Sequence, residues 1–244
     1  MEAYINDAAL RGDTFTILFS GCNFKCPFCN APHLVEFRTE ERMALRDVKR
    51  LIASSGARRV LFSGGEPLLQ RQALLELAAA AKRLRLTVVL ETNASKPETL
   101  RTLLDAGIVD EVVVDIKGPW PAFERVARTG TFFQPAAEVY EDFLKCLSLL
   151  RQHDGVTARF KTIITPGLLY RKEDILAIAQ LLKGFEAEWT LEPFDPAVTL
   201  DASLSGVAPP TSRFLENLAG FVRQAYPKMR VRVAEQKAVT SESA

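Results

Sequence analysis

Neither sign of charge predominates in this sequence: 31 Lys and Arg stand against 30 Asp and Glu, a net charge of +1. That balance sets up no long-range field to draw in nucleic acid or an anionic membrane surface. No apolar run approaches the ~18 residues a membrane-spanning helix needs. The opening Met1-Glu2-Ala3-Tyr4-Ile5-Asn6-Asp7 lacks the basic stretch and apolar run of a secretory signal. Linkers, internal repeats and low-complexity tracts are missing too. The four cysteines form no disulfide framework, since three crowd between positions 22 and 29 and the fourth is Cys146. The expected compartment is the cytoplasm, where crowded thiols serve as metal ligands.

What is present is a chain of 244 residues, 48% of them apolar, which is enough to build one large core without staples. Apolar runs recur at Phe15 to Phe19, Val60 to Phe62, Thr87 to Leu90, Val112 to Ile116, Ala158 to Ile164 and Trp189 to Leu191. They are nearly continuous rather than alternating, as in strands covered on both faces of a parallel sheet. Helical periodicity falls between them, at about 39–55, 69–84, 97–106, 138–152, 172–183 and 212–225. Arg230 to Val233 suits a last strand. Alternation of this kind predicts an α/β fold with right-handed crossovers, here a partial (β/α)6 TIM-like barrel of parallel strands in a single domain over 1–237. The small, polar 238–244 is expected to be a frayed tail. In such barrels chemistry sits at the C-terminal strand ends.

The first of these strands runs into Ser20-Gly21-Cys22-Asn23-Phe24-Lys25-Cys26-Pro27-Phe28-Cys29-Asn30, a C-x3-C-x2-C spacing. Thiolates this close converge on one metal centre. A [4Fe–4S] cube normally takes four cysteines, so three leave one iron open to another ligand. His33 lies four residues past Cys29, so a Cys3His zinc site is the competing reading. Zinc knuckles favour small separate modules, whereas this loop caps a strand of a large α/β unit. The next strand ends Ser63-Gly64-Gly65-Glu66-Pro67, the third Glu91-Thr92-Asn93, and the fourth Asp115-Ile116-Lys117. Glu192 and Asp195 end the sixth and fall on the same rim. Cys146, inside an amphipathic helical run, belongs to the core, and His153 to the surface.

In order and spacing these motifs resemble the radical S-adenosylmethionine (SAM) superfamily, and within it the activating enzymes of glycyl radical proteins, of the anaerobic ribonucleotide reductase and pyruvate formate-lyase type. The resemblance implies one [4Fe–4S] cluster on Cys22, Cys26 and Cys29, with SAM chelating the open iron. It implies SAM contacts from Phe28 beside the adenine, from Gly64, Gly65 and Glu66, and from Thr92, Asn93, Asp115 and Lys117. It also implies a monovalent cation held by Glu91, Thr92 and Asp115. The activity that goes with it is reductive cleavage of SAM to a 5′-deoxyadenosyl radical. An electron donor such as flavodoxin or ferredoxin would drive the step, and the hydrogen would come from a glycine of a partner glycyl radical enzyme. A small metabolite or nucleoside is the alternative substrate. Trp120, Phe123, Phe132 and Phe133, after the fourth strand, could anchor such a partner, the alternative being that each ring packs against the next helix.

Overall fold

The computed structural model describes residues 1–131 and 134–234. Phe132, Phe133 and the tail 238–244 lie outside the described residues. The strands are β1 (Glu2–Arg11), β2 (Thr14–Phe19), β3 (Arg42–Ala44), β4 (Arg59–Gly64), β5 (Thr87–Thr92), β6 (Glu111–Asp115), β7 (Thr157–Ile164), β8 (Glu188–Pro193) and β9 (Arg230–Val233). Among the described residues they form one nine-stranded sheet in the order β3-β1-β2-β4-β5-β6-β7-β8-β9. From β2 through β9 every neighbouring pair is parallel, while β1 runs antiparallel to both β2 and β3. The partial barrel of parallel strands is therefore present, with β9 as a further parallel strand at its edge.

The helices are α1 (Leu45–Ser54), α2 (Arg71–Arg83), α3 (Pro97–Asp105), α4 (Trp120–Ala127), α5 (Ala136–Gln152), α6 (Lys172–Leu182) and α7 (Ser212–Ala225). Each lays one apolar stripe on the sheet. In α7 the stripe is Leu215, Leu218, Ala219 and Val222, all buried, and the Thr211 hydroxyl caps the helix by accepting from Phe214 N at 3.2 Å. Sheet and helices share a single apolar core that runs from Ile5 and Phe19 to Trp189 and Val231. Trp189 is fully buried, and its indole N–H donates to the Thr162 hydroxyl at 3.0 Å. Among the described residues no helix is long and apolar enough to cross a membrane.

Three elements differ from the sequence expectation. The helix expected from 39 begins at Leu45, because Arg42–Ala44 pair instead with Glu2–Tyr4 as an edge strand. The segment 2–11 is a strand, joined to β2 by a two-residue turn in which Gly12 takes φ +61°. The segment after β6 is helical from Trp120, with proline at its start, a favoured position for a residue with no N–H to give.

Candidate active site

The cysteine loop leaves the C-terminal end of β2 and is tied down by backbone bonds along its length. Gly21 N and Cys22 N donate to Leu34 O and Val35 O, both at 2.8 Å. Lys25 N reaches Ala127 O at 3.0 Å, and Pro27 O accepts from Asp201 N at 2.9 Å. Gln70, just before α2, donates to Tyr4 O at 2.8 Å and to Ser20 O at 2.9 Å, joining β1 to the start of the loop.

The glycines after β4 have a local reason. Gly65 N donates to Phe19 O and Glu66 N to Gly21 O, each at 2.8 Å, so the Gly-Gly-Glu turn lies flat against the cysteine loop. A Cβ on Gly65 would sit 2.3 Å from Gly21 O, and one on Gly64 would sit 2.4 Å from Phe19 O. Gly64 also has φ +109°, a conformation that side-chain-bearing residues avoid.

Glu66 is fully buried and stitches three segments together. Its Oε1 accepts from Leu68 N at 3.0 Å and from the Thr92 hydroxyl at 2.7 Å, and its Oε2 accepts from Asn93 N at 2.7 Å. Burial pushes its carboxyl up to about 7, and these donors only partly offset the rise. Asn93 in turn donates to Asn23 Oδ1 at 3.1 Å, so the end of β5 is bound to the cysteine loop.

These pieces enclose a cavity of about 340 Å³. Cys22, Cys26, Cys29, Phe28, Gly64, Gly65, Glu91, Thr92, Asn93, Asp115 and Lys117 all border it. Of the expected SAM contacts, Glu66 alone stands behind the wall rather than on it. Asn30 and His33 are exposed and border the same space, marking its mouth. Lys161 and Ser63 complete the wall and were not singled out from the sequence. The signal for Lys161 was a charged residue set in the mainly apolar Phe160-Lys161-Thr162-Ile163-Ile164.

Charge is concentrated on the floor of the cavity. Lys117 Nζ donates to Asp115 Oδ2 at 2.7 Å and stands 5.3 Å from the centre of the Phe28 ring. Burial works to lower the Lys117 pKa, but Asp115 and the cysteines more than reverse it, and the ammonium is held above its ordinary range. Burial likewise works against ionised Asp115, and Lys117 and Lys161 overcome it, holding the carboxyl below its ordinary value. Asp115 Oδ1 is buried and has no hydrogen-bond partner among the described residues. A buried acceptor without a donor is costly, and on a cavity wall it suits the hydroxyl or ammonium of a ligand.

Burial pushes the Cys22 thiol up to about 12 and the Cys26 thiol up to about 11. Phe24 N, 3.4 Å from the Cys22 sulfur, and the Lys117 ammonium, acting on Cys26, pull the other way. The three thiols suit a cluster: they are free, they border one space, and N–H donors and a cation stand ready for their thiolates. Among the described residues no three His, Cys, Asp or Glu side chains gather tightly enough to hold a single metal ion. Cys146 is fully buried in α5, among core side chains.

Comparison with known proteins agrees with this geometry. A protein of Methanocaldococcus jannaschii named as a glycyl-radical enzyme activating enzyme is 26% identical over 218 residues, covering 88% of this chain and 87% of its own. A 7-carboxy-7-deazaguanine synthase of Archaeoglobus fulgidus is 28% identical over 188 residues, 72% of this chain and 73% of its own. Among solved structures, a radical SAM methyltransferase from Sphaerobacter thermophilus superposes with a TM-score of 0.67 at 13% identity, covering 93% of this chain and 68% of that one, a likeness of fold. The model of the radical SAM superfamily matches residues 16–182, from β2 through α6, and the cysteine loop, the glycine turn and the charged floor all fall inside that span: the chain belongs to the radical SAM superfamily.

Proposed function

We propose that this chain holds one [4Fe–4S] cluster on Cys22, Cys26 and Cys29, binds SAM against it, and takes hydrogen from a glycine of a partner glycyl radical enzyme. When bound and reduced by a donor of the flavodoxin or ferredoxin type, the cluster supplies the electron that splits SAM into methionine and the 5′-deoxyadenosyl radical. The chain's own residues bind, orient and seal. Phe28 offers a flat apolar face for the adenine. Gly64 and Gly65 let the ligand approach the backbone. Asn93 and Asp115 supply polar atoms at the strand ends, Asp115 Oδ1 being the unpartnered acceptor. Lys117 contributes a fixed positive charge. Glu66 acts one step removed, by fixing Asn93 and the glycine turn against the cysteine loop.

The size of the cavity supports this choice of substrate. At about 340 Å³ it lies near the low end of the roughly 300–1,000 Å³ usual for sites that enclose one drug-sized ligand. Cluster and SAM, two groups, claim that space. That leaves little enclosed room and favours a hydrogen donor presented at the mouth near Asn30 and His33, as a loop of another protein would be. The M. jannaschii relative, matched along nearly all of its length, supports the same choice.

The test uses electron paramagnetic resonance. Reduced, cluster-loaded protein is mixed with SAM and a candidate glycyl radical protein encoded in the same genome. A protein-based doublet, split by the glycine α-hydrogen, is the expected outcome. Deuterium passing instead from a labelled small molecule, such as a deazaguanine precursor, into 5′-deoxyadenosine would assign the chain to metabolite chemistry.

A further inference from the structure

The resemblance to the activating enzymes of glycyl radical proteins implies a monovalent cation among Glu91, Thr92 and Asp115. Of the side-chain oxygens of these residues, all but Asp115 Oδ1 are otherwise engaged. Glu91 Oε1 is in contact with Lys161 Nζ, and Glu91 Oε2 accepts from the Ser63 hydroxyl at 2.6 Å. The Thr92 hydroxyl donates to Glu66 at 2.7 Å and accepts from Ala94 N at 2.9 Å. Asp115 Oδ2 is held by Lys117 and also lies 3.9 Å from Lys161 Nζ. One unengaged side-chain oxygen does not make the set of several ligands that a free cation needs.

We propose that the ammonium of Lys161 is itself the cation of this site, tethered to the chain instead of drawn from solution. Lys161 projects from the middle of β7, paired in register with Asp115 on β6, and its side chain reaches past β6 to Glu91 on β5. It joins three parallel strands across the floor of the cavity, where a bound ion would do the same through coordination. Lys161 and Lys117 between them balance the two part-buried carboxylates. Glu192, the other acid facing Lys161, is half-buried and is held above its ordinary carboxylate range, first by burial and then by Asp115 and Glu91, with Lys161 opposing. Lys161 leaves Asp115 Oδ1 as the acceptor on the wall. It is thus a positioning residue for the SAM side of the cavity. The inference concerns the chain's own charges and stands apart from the identity of the substrate.

The experiment compares thermal unfolding of the protein, without SAM, in potassium, sodium and choline chloride at one ionic strength of about 0.1 M, where surface pairs are largely screened. Thallium(I) NMR on the same samples reports any bound monovalent ion directly. The wild type should unfold at the same temperature in all three salts and show no saturable thallium broadening. Lys161→Ala should melt lower in choline by about 5 °C or more, the scale of a buried charge left unpaired. Potassium or sodium should restore at least half of that loss, with thallium binding that now saturates. If Lys161→Ala proves insoluble, Glu91→Gln/Lys161→Met removes one charge of each sign and should fold with no response to the salt. A potassium-dependent rise in the wild type or in the double variant, or saturable thallium binding to either, would overturn the proposal. So would a soluble Lys161→Ala that is indifferent to the cation supplied.

Discussion

Three donors meet the carboxylate of Glu66, and its burial raises its pKa from 4.5 to about 7. The sign of the consequence follows from linkage. Between those two values the folded protein keeps the proton and the unfolded chain has released it. Stability therefore falls as pH rises from about 4.5 to about 7, by at most about 3 kcal/mol at 1.36 kcal/mol per pKa unit. Urea unfolding of the cluster-free protein at a series of pH values should show this decline. Glu66→Gln should abolish the slope while lowering stability throughout, because its NH2 would oppose one of the backbone donors. The cysteines divide by the same kind of local reasoning. Cys29 borders the cavity, whereas Cys146 is sealed in the core of α5. Reconstituted wild type and Cys146→Ala should both hold about four irons, the content of one cube. Cys29→Ala should hold far fewer. Retention by Cys29→Ala, with loss by Cys146→Ala, would reverse the ligand assignment.

At the scale of elements, the turn after β4 and the loop after β2 behave as one piece. Gly65→Ala forces a Cβ to within 2.3 Å of Gly21 O, where only backbone can give way. It should cost stability on the scale of a strained core substitution, roughly 2–4 kcal/mol, and should lose iron on reconstitution, measured by calorimetry and iron analysis. Gly206→Ala, with open space around its Cβ position and ordinary φ, is the control and should change neither. The parallel strands and the motifs at their ends were legible in the sequence because burial on both faces writes long apolar runs and because the motif residues fall where those runs stop. Three features were not. β1 carries Asn6-Asp7 and a register shift between Ile5 and Asp7, which breaks its alternation, although the Gly12-Asp13 turn was a hairpin signal in plain view. β3 exists only because β1 is there to pair with it. Lys161 was hidden by its neighbours, since one lysine in a strand says nothing of its partners until β5, β6 and β7 lie side by side.

For the whole molecule, the family match ends at Leu182, but the folded unit does not. Beyond it, β8, α7 and β9 bury Trp189, Leu191, Leu215, Leu218 and Val222 in the same core. Burying large side chains of this kind contributes about 1.5–3 kcal/mol each, so together they rival the 5–15 kcal/mol by which a typical domain is stable. Removing them would also bare the edge of β7, the strand that carries Lys161. A chain ending at Leu182 should therefore aggregate or lack a cooperative melt, as seen by size-exclusion chromatography and circular dichroism. A monomeric, sharply melting fragment would show that the cavity-bearing half folds on its own.

The burial of Cys22 and Cys26 bears on how the empty protein survives before it is loaded. Thiols raised to about 12 and about 11 stay protonated at neutral pH, and it is the thiolate that attacks disulfides, alkylating agents and stray soft metals. Cys22 and Cys26 are thus slow to cross-link or to pick up the wrong metal before loading. Iron must displace those protons on entry, so every cluster assembled acidifies its surroundings, and alkaline buffer favours loading. The burial that quiets these two thiols is thus also what makes loading depend on the pH at which iron and sulfide are delivered.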